Sequence, residues 1–283
     1  MRLFGILLFT LISLATSAQE NSKPSNVAGE NVKSNKGKIY AFWGWNRGWY
    51  TNSDIHFTGD NYDFTLSDVE ATDRQSPFDM GVYFGISTIT IPQTNYGFGI
   101  FISEKIDIAF AVDHMKYVMV EIQETEISGK INNGNNYHGV YDNESIITDE
   151  NFLKFEHTDG LNYLNFEINY NEDMLSLFKI KSKKIGIDYF IGFGLGTAMP
   201  RSNVTLMGGT RHDEFHFAGY GFSAKTGLKL CFFENFFLRT EYKAGFIDMP
   251  DIRTTPDPSD RASQHFWFTQ LNFNFGFSVN LFN

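Results

Sequence analysis

The chain has 283 residues, enough for one large β domain, and after residue 20 it holds no run of 18 apolar residues, which excludes a helical membrane span there. Its net charge of −10 argues against a nucleic-acid partner, because phosphate backbones call for a basic surface. A single cysteine, Cys231, leaves no internal disulfide, and its neighbours Phe232 and Phe233 point to a packed thiol.

Residues 1–18 combine one positive charge, a short apolar core and the small residues Ala15-Thr-Ser-Ala18, the pattern of a cleaved signal peptide. Residues 19–37 are polar and aperiodic and read as a flexible periplasmic lead-in. From Lys38 onward the chain alternates. Lys38–Tyr50, with three tryptophans in seven residues, is the first predicted strand, and 62–71 the next, with 51–61 between them as a loop or strand rim. Val82–Ile91 is β-prone and is taken as a short strand. Strands follow at 96–102, 106–117, 161–170, 185–198, 215–230 and 236–248, and a last one runs from His265 to Phe282. Residues 120–157, 199–214 and 249–264 read as long loops, whereas Ser103–Lys105 and Glu234–Asn235 are tight turns.

The closing strand defines the architecture. Leu271, Phe273, Phe275, Phe277, Val279 and Leu281 share one face, and Asn272, Asn274, Gly276, Ser278 and Asn280 the other. A strand this long, aromatic on one side and small and polar on the other, suits a bilayer crossed at a tilt. The expected fold is therefore all-β, a transmembrane antiparallel up-and-down barrel spanning 38–283. Ten strands is the reading adopted, with eight or twelve as alternatives; an even count places both termini on one side. The soluble alternative, a β-sandwich or lipocalin-like barrel, would carry more Lys and Glu on its outer faces.

With apolar faces outward, the polar faces line a lumen. They supply Asp63, Asp107, Asp113, Glu167, Asp188 and Glu241 beside Lys225, Lys229, Arg239 and Lys243, with Arg47 counted among them. Opposite charges in a narrow interior pair, so the expected lumen is a salt-bridged plug; a small ion or solute path is the alternative. Catalytic motifs are thin. Asp54-Ile-His56 has the spacing of an oriented base but no opposed carboxylate pair, and His114 on an apolar face has no serine motif beside it. His212-Asp-Glu-Phe-His216 lacks the order of a helical zinc motif. No catalytic residue, metal or cofactor is assigned.

Ala18-Gln19 after the signal, the Asn- and Phe-rich strands and the closing Phe275-Gly-Phe-Ser-Val-Asn-Leu-Phe282 resemble the small outer-membrane β-barrel proteins of the Bacteroidota. The resemblance implies export to the outer membrane of a Gram-negative cell and contact with outer-membrane lipid and lipopolysaccharide. It also implies insertion by the barrel-assembly machinery, which reads an aromatic strand end; here Asn283 follows Phe282. The implied role is non-enzymatic: envelope structure, surface binding through long loops, or limited solute passage, with no identifiable extracellular ligand. An outer-membrane enzyme, lipid A deacylase-like or an omptin-like protease, is the alternative.

Overall fold

In the computed structural model, residues 34–88, 90–180, 182, 185–233 and 235–280 are described. The signal peptide, most of the lead-in, Glu234 and the aromatic end at Phe282 lie outside them. Every long-range pairing is antiparallel, and the described residues form 14 strands in one sheet.

Eight of these strands make a closed ring. In spatial order they are β1 (Lys38–Tyr50), β5 (Thr94–Phe101), β6 (Ile106–Met119), β9 (Leu153–Asp173), β10 (Ile185–Leu206), β12 (Gly219–Phe232), β13 (Phe236–Arg253) and β14 (Arg261–Asn280). The ring closes where β1 pairs with β14, from Lys38 opposite Asn280 to Tyr50 opposite Phe268. A second run of strands grows from the upper end of β14: β2 (Ser53–Gly59), β3 (Tyr62–Val69), β7 (Gln123–Ile131) and β8 (Gly139–Thr148). We call this the extension, and the opposite end, where Lys38 pairs with Asn280 beside the short turns, the terminal end. Two short strands, β4 (Ala71–Thr72) on β6 and β11 (His212–Phe215) on β10, complete the set.

The ring thus has eight strands rather than ten. The predicted strand at 62–71 is real but belongs to the extension, and 82–91 is not a strand. There Asp79 caps a one-turn helix α1 (Met80–Tyr83) by accepting from the Val82 N–H, and a 3₁₀ turn follows at Ile86–Thr88. Tyr83 and Phe84 dock on Trp45, with ring centroids 5.7 and 5.0 Å away. The segments read as long loops are largely strand: 120–157 holds β7, β8 and the start of β9, and β10, β13 and β14 run on through 199–206, 249–253 and 261–264. Of the two readings of 51–61, loop or strand rim, it is strand that holds, as β2.

One stretch of the ring wall lacks a backbone ladder. Strand β1 pairs with β5 only from Ile39 to Trp45. Beyond that point, side chains and a neighbouring segment join β1 to β6. The Asp73 carboxylate accepts from the Gly48 N–H (3.1 Å), the Gln75 amide donates to the Asn46 carbonyl (3.2 Å), and the Gln93 side-chain carbonyl accepts from the Lys116 N–H (2.9 Å).

Inward-facing residues change character along the strands. On β14, Asn274, Asn272 and Gln270 give way to Phe268 and Phe266, all buried. On β6, Asp107 and Asp113 give way to Met115 and Tyr117; on β13, Arg239, Glu241 and Lys243 give way to Ile247 and Met249. The polar part is the barrel interior. The apolar part is continuous with the core of the extension, which includes Ile55, Phe57, Phe64 and Leu66.

Candidate functional site

The buried charges sit where β6, β9, β12 and β13 face each other across the interior. Lys243 Nζ lies 2.6 Å from Asp113 Oδ2 and 3.0 Å from Glu167 Oε1. Lys225 Nζ lies 2.5 Å from the other oxygen of Glu167 and 3.6 Å from Glu241 Oε2. Arg239 approaches Glu241 at 3.2 Å, and its guanidinium stacks on Phe42, 3.9 Å from the ring centroid, with Phe190 at 5.6 Å. Three cations thus balance three carboxylates.

Neutral amides fill in around the charges. Asn272 donates to Glu241 (2.8 Å), Asn165 to Asp113 (3.3 Å), and Asn95 also donates to Asp113. Asp107 is satisfied without a cation, by the Tyr40 hydroxyl (2.5 Å) and the amides of Asn169 (2.8 Å) and Asn171 (2.7 Å). Gly192 leaves the room this needs: a Cβ there would meet Asn169 Oδ1 at 2.1 Å and Lys225 Cε at 3.1 Å. The participating groups come from β1, β5, β6, β9, β12, β13 and β14, so the network ties the ring together across its interior.

Both ends of this network are covered. Toward the extension lie Met115, Tyr117, Leu161, Tyr163, Phe266 and Phe268, all buried. Toward the terminal end, Tyr40, Phe101 and Phe237 pack edge to face at 5.9 and 6.2 Å. Beside them Asp188 and Lys229 pair at 2.8 Å, partly open to solvent, with Lys229 over the Phe101 ring.

Two of the predicted lumen residues lie elsewhere. Arg47 is exposed on the outer wall, 4.0 Å from Asp73, because it shares the strand face of Trp45 and Trp49. Asp63 is exposed on the extension, whose polar face meets solvent, and its carboxylate bonds His56 Nε2 at 2.9 Å. Sequence reasoning missed Tyr40, Asn46 and Asn95, although their place on the inward face of β1 and β5 was open to the same alternation argument.

The histidines do not assemble into a catalytic group. Asp54 accepts from the Asp68 N–H instead of orienting His56. His114 faces acceptors with both ring nitrogens, Asn162 Oδ1 at 2.8 Å and the Thr90 carbonyl at 3.1 Å; Asn162 is fixed in that sense because its amide donates to the Met199 carbonyl. Neither ring nitrogen contacts a serine hydroxyl or a carboxylate, so no catalytic pair forms here. His216 pairs with Asp251 at 2.8 Å. A Ser–His contact that the sequence did not reveal joins Ser202 Oγ to His157 Nδ1 at 2.9 Å. Both are buried, His157 lies against Phe155 and Tyr117, and burial pushes its imidazole down to about 3. A nucleophile sealed in this core meets no substrate.

No known family matches the sequence, and no curated relative does. Among solved structures, the outer membrane protein OprG of Pseudomonas aeruginosa is similar at 8% identity, over 87% of this chain and 98% of that one, with a TM-score of 0.41. Ail, the attachment invasion locus protein of Yersinia pestis, is similar at 9% identity over 84% and 99%, with a TM-score of 0.27. The outer membrane protease OmpT of Escherichia coli is similar at 6% identity over 86% and 96%, with a TM-score of 0.25.

Proposed function

We propose that this chain is a non-enzymatic integral outer-membrane barrel whose interior is a structural plug and whose extension is its working surface. The outer wall supports the membrane reading. Phe98, Phe166, Phe193, Leu195, Leu271 and Phe277 stand exposed on it, Phe166 at 72%. From Trp267 to Phe277, β14 climbs roughly 26 Å at about 3.4 Å per residue and a tilt of about 40°, the height of a barrel's lipid-facing band.

The observation that carries the plug reading is the charge-balanced network capped by apolar residues at both ends. An ion entering would have to break pairs held away from water, at several kcal/mol each. Strand insertion through the barrel-assembly machinery and contact with lipopolysaccharide belong to the same reading.

On the extension, residues 120–151 hold seven carboxylates, among them Glu124, Glu126 and Glu144, against Lys130 and His138. Such a surface repels lipopolysaccharide phosphates and attracts a partner of basic character.

The test is conductance of the refolded full chain in a planar bilayer. A folded protein, shown by its shifted migration without boiling, should pass no steady current. A stable, salt-dependent current would overturn the plug.

A further inference from the structure

The outer wall carries a cleft of about 470 Å³ that neither the plug nor the extension uses. Its deeper side is apolar: Tyr96, Val112, Leu164 and Met199, outward residues of β5, β6, β9 and β10. Its side toward the extension is polar, with His114, Lys116, Asn162 and Arg201, and Ile91 closes it laterally. Polar above and apolar below is the order of a lipid headgroup over its chains.

The cations there differ. Arg201 is neutralised by Asp213 at 3.0 Å and Asp159 at 3.4 Å. Lys116 is buried, its ammonium donates to the Ile91 carbonyl at 2.5 Å, and among the described residues it has no ion-pair partner. A mostly buried ammonium with one neutral acceptor is incomplete, and an anion completes it. The wall is also shaped for this. Strand β9 bulges between Gly160 and His157 against both neighbours, placing Asp159 at the cleft's edge. Gly160 has φ +129°, and a Cβ there would come within 2.7 Å of His114 and Asn162, so the bulge requires glycine.

We propose that this cleft binds the net anionic, phosphate-bearing headgroup of one membrane lipid, with the phosphate against Lys116 and an acyl chain along Val112 and Leu164. A free anion would not explain the apolar side, which continues into the outer band. The inference rests on the membrane reading above.

The test is native mass spectrometry of the folded full chain titrated with phosphatidylglycerol and, separately, phosphatidylcholine. One phosphatidylglycerol should be retained with roughly five-fold preference, the factor one ammonium contributes beside an anionic headgroup. Lys116→Gln should remove the preference. Lys154→Gln, exposed and 3.6 Å from Glu156, should keep it. Equal retention of the two lipids by the unmutated protein overturns the proposal even if Lys116→Gln does not fold. An unchanged preference in folded Lys116→Gln overturns it as well. Displacement of the lipid by inorganic phosphate alone would mean a free-phosphate site and overturn the lipid assignment. Failure of the chain to insert into phosphatidylcholine vesicles would instead sink the membrane reading, a result separate from headgroup preference.

Discussion

Glu167 holds two ammonium groups at once, Lys225 and Lys243, with both its oxygens engaged. Glu167→Gln removes the charge and leaves three cations facing two carboxylates. Breaking one partner of a buried pair typically costs about 3–5 kcal/mol. The expected result is a markedly lower urea midpoint in vesicles, read from the loss of the fast-migrating band; an unchanged midpoint would mean the network contributes little. His157 gives a second prediction. Its ordinary value is 6.5 and in the folded chain about 3, so above pH 6.5 it is neutral in both states and has no effect. As pH falls below 6.5 the unfolded chain binds a proton that the folded chain refuses, and stability drops by about 1.4 kcal/mol per unit until about pH 3. Protease resistance of the extension should therefore weaken by roughly 2–3 kcal/mol between pH 7 and 4.5 through this residue. His157→Gln should flatten that part of the slope; an identical pH profile would refute the assignment. At this scale a residue's parity was a good guide within the ring. Asp113, Glu167, Lys225, Arg239, Glu241 and Lys243 converge because alternation puts them on one side of neighbouring strands. Arg47 was misplaced against its own parity with Trp45, and Asp63 lies on the outward face of a sheet whose inward face is the apolar one, with Phe64 and Leu66.

Between β1 and β6 the wall depends on side chains, and this makes the seam chemically specific. Gln93→Ala would strip the Lys116 N–H of its acceptor inside the wall, a loss of about 1–3 kcal/mol. The amides of Lys116 and Gly48 should then exchange with solvent faster than those of the β13–β14 ladder. Uniform exchange around the ring would show that the seam is not a weak point. This region was the least legible part of the sequence. Val82–Ile91 is rich in β-branched residues, yet strand propensity yields to the Asp79 cap and to the docking of Tyr83 and Phe84 on Trp45. The polar stretch at 120–157 misled for another reason. Strands that leave the band have one face in water, so the apolar faces of β7 and β8 are thin, with Ile127 and Ile131 buried among charged neighbours.

Taken whole, the molecule joins two cores in one sheet: a charged interior within the ring and an aromatic and aliphatic one above it. Alternation alone cannot place the boundary, because both cores use the same parity; only the identity of the inward residues, Gln270 against Phe268, marks it. The closed ring, its lumen face and its closing strand were legible for the reason that period-2 patterns survive burial. The extension was not, since its pairing of β2 with β14 joins residues far apart in sequence. If the extension's surface works by charge, replacing Glu121, Glu124 and Glu126 by Gln should weaken binding of polylysine several-fold at low salt and less at high salt. Equal binding would remove the acidic hairpin from consideration.

The pairing of Arg261–Gln264 with Ile55–Thr58 also sets an order of events. A chain delivered from its N-terminus holds β2 early, but the strand that anchors it to the ring is the last to arrive. Only a chain in which β14 has been delivered and has joined β1 can fix the extension in its register. Chains stalled before β14 would lack the mature surface, so its display reports a closed ring.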